Sequence, residues 1–169
     1  GLAKVAREIP LVILSNSMKN LIMSNVEKLG APFHTVITAE ETGAYKPHMK
    51  GFEYMLDKLG CSPEDITHVS SSFRYDLMTA YDLGIKSKVW VNRGHEPANP
   101  FYEYTEVAGI DGLAAAVGLE HRADAPDRVG VHLAAAEGWR DPVAGWWLRL
   151  RPQQVQPCHP GAAPARVEL

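Results

Sequence analysis

Cysteine is scarce: Cys61 and Cys158 are the only two among 169 residues, too far apart in sequence for a metal or redox spacing. The reading that follows is a reduced, cytoplasmic compartment. No apolar run approaches the roughly 20 residues of a membrane-spanning helix. The charged opening segment, Gly1 to Pro10, has no apolar core of a signal peptide. Excess positive charge is missing as well. Seventeen Lys and Arg face 20 Asp and Glu, for a net charge of -3 and a pI near 6.2, which argues against a nucleic-acid partner. The seven histidines, His34, His48, His68 and His95 among them, show no ligand spacing, so no metal site is expected of them.

A second set of absences divides the chain. Leu119 to Leu169 contain no Lys, Ser, Thr, Asn, Ile, Met, Phe or Tyr, but hold six of the nine arginines, six of the twelve prolines and three of the four tryptophans. The missing types are largely those with AT-rich codons. This stretch reads as a shifted-frame or recently acquired extension of GC-rich DNA, or as a disordered Pro/Ala-rich tail. Neither origin would carry the function, and Trp139, Trp146 and Trp147 read as accidents of its composition. The expected organisation is one domain over residues 1–118, long enough for a proper core, followed by a tail over 119–169.

What is present in the first part is an alternation of strands and helices. Gly1 to Glu8 reads as the end of a helix that began earlier. Leu11 to Leu14 is a short apolar, β-branched-rich run stopped by Ser15 and Asn16, the pattern of an inner strand of a parallel sheet. Ser17 to Leu29 has apolar residues at helical spacing and ends at Gly30. Phe33 to Thr38 predicts a second strand, and His48 to Leu59 a helix with Phe52, Met55, Leu56 and Leu59 on one face, ended by Gly60. Ile66 to Val69 predicts a third strand, Phe73 to Leu83 a helix, Lys88 to Val91 a fourth strand, Asn92 to Tyr104 a loop and Asp111 to Val117 a short final helix. The fold class is α/β, a Rossmann-like doubly wound parallel sheet. Ligands bind at the carboxyl ends of strands in such sheets. Ser15, Asn16, Lys46, Ser70 to Ser72 and Asp76 therefore converge on one edge. Singly each has a bland account: Ser15 caps the following helix, Lys46 is solvated, and Asp76 complements a helix macrodipole.

Taken in order, a strand ending in Ser15-Asn16, then Tyr45-Lys46-Pro47, then a strand leading to Ser70-Ser71-Ser72-Phe73-Arg74-Tyr75-Asp76, resembles the haloacid dehalogenase superfamily over about residues 1–118. Ser15 matches the second motif of that superfamily, Lys46 the third, and His68 to Asp76 the fourth. In the phosphatases of the superfamily the fourth motif runs Gly-Asp-Ser-x-x-x-x-Asp, and its two acids help hold Mg²⁺. Here Ser70-Ser71-Ser72 replaces Gly-Asp-Ser and only Asp76 remains. Mg²⁺ favours hard oxygen ligands that include carboxylates, whereas displacing halide from a 2-haloacid needs no metal. The substitution therefore favours the type II 2-haloacid dehalogenase branch, with no cofactor; Mg²⁺ enters only under the phosphatase alternative.

The resemblance implies that an aspartate attacks the halogen-bearing carbon of a short 2-haloalkanoic acid and that water then hydrolyses the aspartyl ester. Ser15 and Asn16, with Ser72, would hold the substrate carboxylate. Lys46 would keep the nucleophile ionised, Asp76 would orient Lys46 or the hydrolytic water, and Ser71 or Ser72 would hydrogen-bond that pair. The nucleophile-bearing strand and the helical cap of the family have no counterpart here and would precede Gly1. The chain is thus expected to be the C-terminal part of a core domain, unable to turn over alone, with sheet edges exposed by the missing strand. Two rivals stand beside this reading: a fragment of a Mg²⁺-dependent phosphatase, and a non-catalytic relic of the fold. The expected partner is a small-molecule 2-haloacid, with no membrane, and homo-oligomerisation is left open.

Overall fold

The computed structural model describes residues 1–119 and the backbone of 144–149. Elements alternate as expected: α1 (Leu2–Ala6), β1 (Leu11–Ser15), α2 (Lys19–Leu29), β2 (Phe33–Thr38), α3 (Ala39–Thr42), α4 (Met49–Leu59), β3 (Ile66–Ser70), α5 (Met78–Asp82), β4 (Ser87–Val91), β5 (Thr105–Val107), α6 (Leu113–Ala116) and β6 (Ala144–Arg149). Helices α2 and α4 end where glycine permits a left-handed residue, with Gly30 and Gly60 both at φ 59°. Two expectations differ in detail. The stretch Phe73 to Leu83 begins as a π-helical turn, Phe73–Leu77, before α5. The stretch Asn92 to Tyr104, expected as loop, holds a 3₁₀ turn at Pro100–Tyr102, and the short edge strand β5 follows it.

The sheet order is β2-β1-β6-β3-β4-β5. The pairs β1 with β2, β3 with β4 and β4 with β5 are parallel, so the carboxyl ends of these strands share one edge. Alternation along β1 separates two apolar layers. Leu11 and Ile13 pack with Val5, Ile22 and Leu113, and Val26 and Leu29 border that layer. Val12 and Leu14 pack with Ile37, Phe52, Met55 and Ile66. Apolar layers on opposite faces, each with its own helices, make the sheet doubly wound. All five residues of β1 and all five of β3 are buried, as inner strands require.

One strand departs from the parallel pattern. β6 is antiparallel to both β1 and β3 and lies between them, pairing Leu11 to Ser15 with Leu148 to Ala144 and Ile66 to Val69 with Arg149 to Trp146. Residues 144–149, within the stretch expected as a tail, lie in the middle of the sheet, and β6 pairs the edges of β1 and β3 that a missing strand is expected to expose. The remaining tail positions, 120–143 and 150–169, lie outside the described residues. Among the described residues, no helix is long and apolar enough to cross a membrane.

Candidate active site

The carboxyl edge is built from three chain segments that meet around one buried carboxylate. Asp76, carried by the π-helical turn, is fully buried. Its Oδ1 accepts from the Lys46 ammonium at 2.8 Å, and its Oδ2 accepts from the Ser70 hydroxyl at 2.9 Å. His68, two residues earlier on β3, places Nε2 3.2 Å from the same Oδ1. Lys46 is 3% exposed and Ser70 1%, so the cluster is sealed from bulk water. Two charges at this depth are tolerable only because each compensates the other.

Full burial pushes the Asp76 carboxyl up, but the Lys46 charge, reinforced by the neighbouring His68 imidazole and by the Lys46 hydrogen bond, overrides it and holds the group below the ordinary carboxylate range. Burial drives His68 the other way, below the ordinary imidazole range, against the pull of Asp76. The imidazole is therefore neutral at physiological pH. One ammonium and one carboxylate leave the cluster with no net charge.

Backbone contacts hold the lysine in place. The Asn16 amide forms two hydrogen bonds with the backbone of Lys46 across 30 residues of sequence: Nδ2 donates to Lys46 O at 3.0 Å, and Oδ1 accepts from Lys46 N–H at 2.6 Å. This pairing fastens the end of β1 to the Lys46-Pro47 turn, whose peptide is cis. Thr79 Oγ1 donates to Pro47 O at 2.9 Å and ties the same turn to α5. Asn16 is thus committed to Lys46 in this structure, a geometry that its residue type alone did not reveal.

The serines divide their tasks differently from expectation. Ser15 does not cap a helix; its buried hydroxyl accepts from Ser17 N–H at 3.0 Å and turns the chain ahead of α2. The hydrogen bond to the lysine-aspartate pair was expected from Ser71 or Ser72 and comes instead from Ser70. Ser70 Oγ also accepts from Ser72 N–H at 3.1 Å, so the strand end folds back on itself. The Ser71 carbonyl accepts from the Trp90 indole at 3.4 Å. The Ser72 hydroxyl donates to Glu96 Oε1 at 2.9 Å and accepts from Tyr75 N–H at 3.3 Å. Alternation along the strand carries past its last residue only if the backbone stays extended, and here it bends.

Two contributors went unseen in the sequence. Glu96, in the loop after β4, accepts from Phe73 N–H at 2.8 Å through its second oxygen and so pins that loop against the fourth-motif turn. Phe73 in turn packs with Trp90 and Tyr104, at ring-centroid distances of 4.9 and 5.3 Å. His68 opens the segment matched to the fourth motif and stands among histidines without ligand spacing, with no role of its own legible there. A histidine two places from the strand end, on the side of the coming aspartate, was the available signal.

These residues do not fit a Mg²⁺ centre. The cation needs several accessible oxygen ligands, whereas Asp76 is buried with both oxygens engaged and Glu96 spends both of its own on Ser72 and Phe73. Among the described residues no group of three or more His, Cys, Asp or Glu can hold a metal ion.

Known proteins similar to this chain include both a phosphatase and a dehalogenase. A glyceraldehyde 3-phosphate phosphatase of Methanothermobacter thermautotrophicus is 30% identical over 103 residues, 60% of this chain and 44% of that protein. The (S)-2-haloacid dehalogenase 4A of Burkholderia cepacia is 29% identical over 96 residues, 56% of this chain and 40% of that protein. The chain therefore spans less than half the length of these relatives. Among solved structures, a dehalogenase matches with a TM-score of 0.55 and 26% identity, covering 62% of this chain and 47% of that one. The HAD-hydrolase YfnB from Bacillus subtilis matches at 0.59 and 19%, covering 68% and 50%, a likeness of fold. Residues 2–90, more than half of the chain, match the haloacid dehalogenase-like hydrolase model, and the chain belongs to that family.

Proposed function

We infer that this chain is the C-terminal part of the core domain of a 2-haloacid dehalogenase. The observation that carries the reading is the state of the fourth-motif carboxylate. Asp76 is buried against Lys46 with both oxygens hydrogen-bonded, and serines stand where a second acid would be needed for a metal. Such an edge suits a reaction that requires a fixed cation and no Mg²⁺. The likeness to a haloacid dehalogenase supports it; the likeness to a sugar-phosphate phosphatase supports the Mg²⁺-dependent rival.

In the proposed reaction an aspartate carboxylate oxygen forms a bond to C2 of the haloacid as the carbon-halogen bond breaks and halide leaves with the bonding pair. Water then adds to the ester carbonyl, freeing the 2-hydroxy acid, restoring the carboxylate and releasing a proton. Lys46 holds the nucleophile ionised and Asp76 fixes Lys46. Ser15 and Asn16 stand at the end of β1 where the substrate carboxylate would lie; Ser71 and Ser72 border it. Asp76 is too deeply engaged to be the attacking group, and among the described residues β1 to β5 end in no aspartate that could take that role, so the 169 residues by themselves are expected to release no halide.

Binding can be tested without turnover. Titrating 2-chloropropionate into the labelled chain should shift the backbone amides of Ser15 to Ser17 and Lys46 in the absence of metal. If those amides respond only to inorganic phosphate with Mg²⁺, the phosphatase reading replaces this one.

A further inference from the structure

The cluster around Asp76 contains a third side chain that neither motif spacing nor the family resemblance assigns. His68 is fully buried on β3, and its Nε2 approaches the carboxylate oxygen that Lys46 also grips, at 3.2 Å against 2.8 Å for the ammonium. With Ser70 on the opposite oxygen, three side chains surround one carboxylate. Its other neighbour is Phe52, whose ring meets the imidazole edge to face at 6.0 Å and 61°. An apolar wall on one side and a carboxylate on the other leave little freedom to the ring.

We propose that His68 is a positioning residue for Lys46. As a neutral imidazole with its proton on Nε2, it presents that nitrogen to Asp76 Oδ1 at 3.2 Å and restricts the positions in which that oxygen meets the ammonium. A carboxylate on the turn after β3 can rotate about two side-chain torsions; Ser70 restrains one oxygen and His68 restrains the other. Lys46, whose four-carbon stem is otherwise flexible, is thereby given one location at the strand edge. A neutral donor does this without adding a second positive charge to a cluster that already carries one ammonium for one carboxylate. The charged groups that face the ring are Asp76, Lys46 and, more remotely, Lys88. Two cations and one anion would oppose its protonation more than a lone aspartate partner would.

The inference rests on the dehalogenase reading only in taking Lys46 as the working cation, and its test needs no turnover. In the ¹⁵N-labelled 169-residue chain, long-range ¹H–¹⁵N spectra at neutral pH should show His68 with a protonated Nε2 and a bare Nδ1. A slowly exchanging Lys46 ammonium signal should accompany it. His68→Leu should abolish that ammonium signal while the amide spectrum of β1 to β4 stays folded, and His68→Gln, which restores an N–H donor at similar reach, should recover it. The proposal is overturned if the proton resides on Nδ1 in the unmodified chain. It is equally overturned if His68→Leu leaves the ammonium signal intact, or if His68→Gln loses it as completely as His68→Leu. Should His68→Leu fail to fold, the tautomer and the glutamine variant decide. If haloacid binding fails while these signals behave as described, His68 positions Lys46 for some other chemistry of the family.

Discussion

Replacing Lys46 by Met keeps much of the side-chain length and removes the charge that faces Asp76 at 2.8 Å. Both partners are almost wholly buried, at 2% and 0% side-chain exposure, so solvent screening gives little relief. Removing one member of a buried pair costs about 3–5 kcal/mol, because the other is left as an uncompensated charge. That is a large share of the roughly 5–15 kcal/mol that holds an ordinary domain together. The pH dependence is the sharper signature. In the unmodified chain the folded Asp76 titrates below its unfolded value. Its contribution is present above the unfolded pKa and is lost as pH falls through the folded one. Without Lys46, burial dominates and raises the folded pKa above the unfolded value of about 3.9. The variant's penalty then grows as pH rises through that raised pKa and fades toward pH 4. Urea unfolding of both proteins at a series of pH values between 4.5 and 7.5 (about 0.5 apart) measures the gap directly. A gap under about 1 kcal/mol at neutral pH, or one that does not narrow on acidification, would refute the assignment of Asp76 as a charged, lysine-compensated carboxylate. Converting the pair together, Lys46→Met with Asp76→Leu, should recover much of the loss, since no charge is then stranded.

Asn16→Ala removes both hydrogen bonds to the Lys46 backbone, for an expected loss of about 1–3 kcal/mol. It should broaden the Lys46 amide signal, and an unchanged amide would mean that the turn holds itself. Glu96→Ala releases the loop after β4 from Ser72 and Phe73. Stability should fall by about 1–2 kcal/mol, with hydrogen exchange accelerated at Phe73 and at 94–99, whereas exchange at β1 should stay as it was. Truncation after Leu119 removes β6, which pairs at five positions with β1 and four with β3. At about 1 kcal/mol net for each backbone hydrogen bond, the loss is comparable to the whole stability of a domain. The truncated chain should associate or aggregate through two bare strand edges; a monomer with unchanged Tm in light scattering and thermal melts would show that β6 contributes nothing.

Much of the fold was legible because its determinants are local. The runs of β1, β2, β3 and β4 are short enough and β-branched enough to read as strands, and Gly30 and Gly60 mark helix ends through a backbone conformation that other residues resist. β5 was not legible: three residues, Thr105–Val107, with the first two exposed, carry no period to detect. β6 was obscured by a composition unlike that of the core. Its place is between two strands far from it in sequence, β1 and β3.

The site divides along the same line. The sequence by itself determined which residue types gather at the carboxyl edge, since Ser15, Asn16, Lys46, Ser70 to Ser72 and Asp76 all follow or flank strand ends whose direction a parallel sheet imposes. It also determined that serine replaces an acid in the fourth motif. Only the tertiary structure decided who touches whom. Ser70 reaches Asp76 where Ser71 and Ser72 do not, because the chain bends after β3. Asn16 engages Lys46 across 30 residues, and His68 reaches the carboxylate because a π-helical turn returns Asp76 toward the strand that precedes it. Local sequence sets backbone direction through sterics and hydrogen-bond period. The partner of a buried polar group is chosen by packing, which brings together segments that have no neighbours in common along the chain.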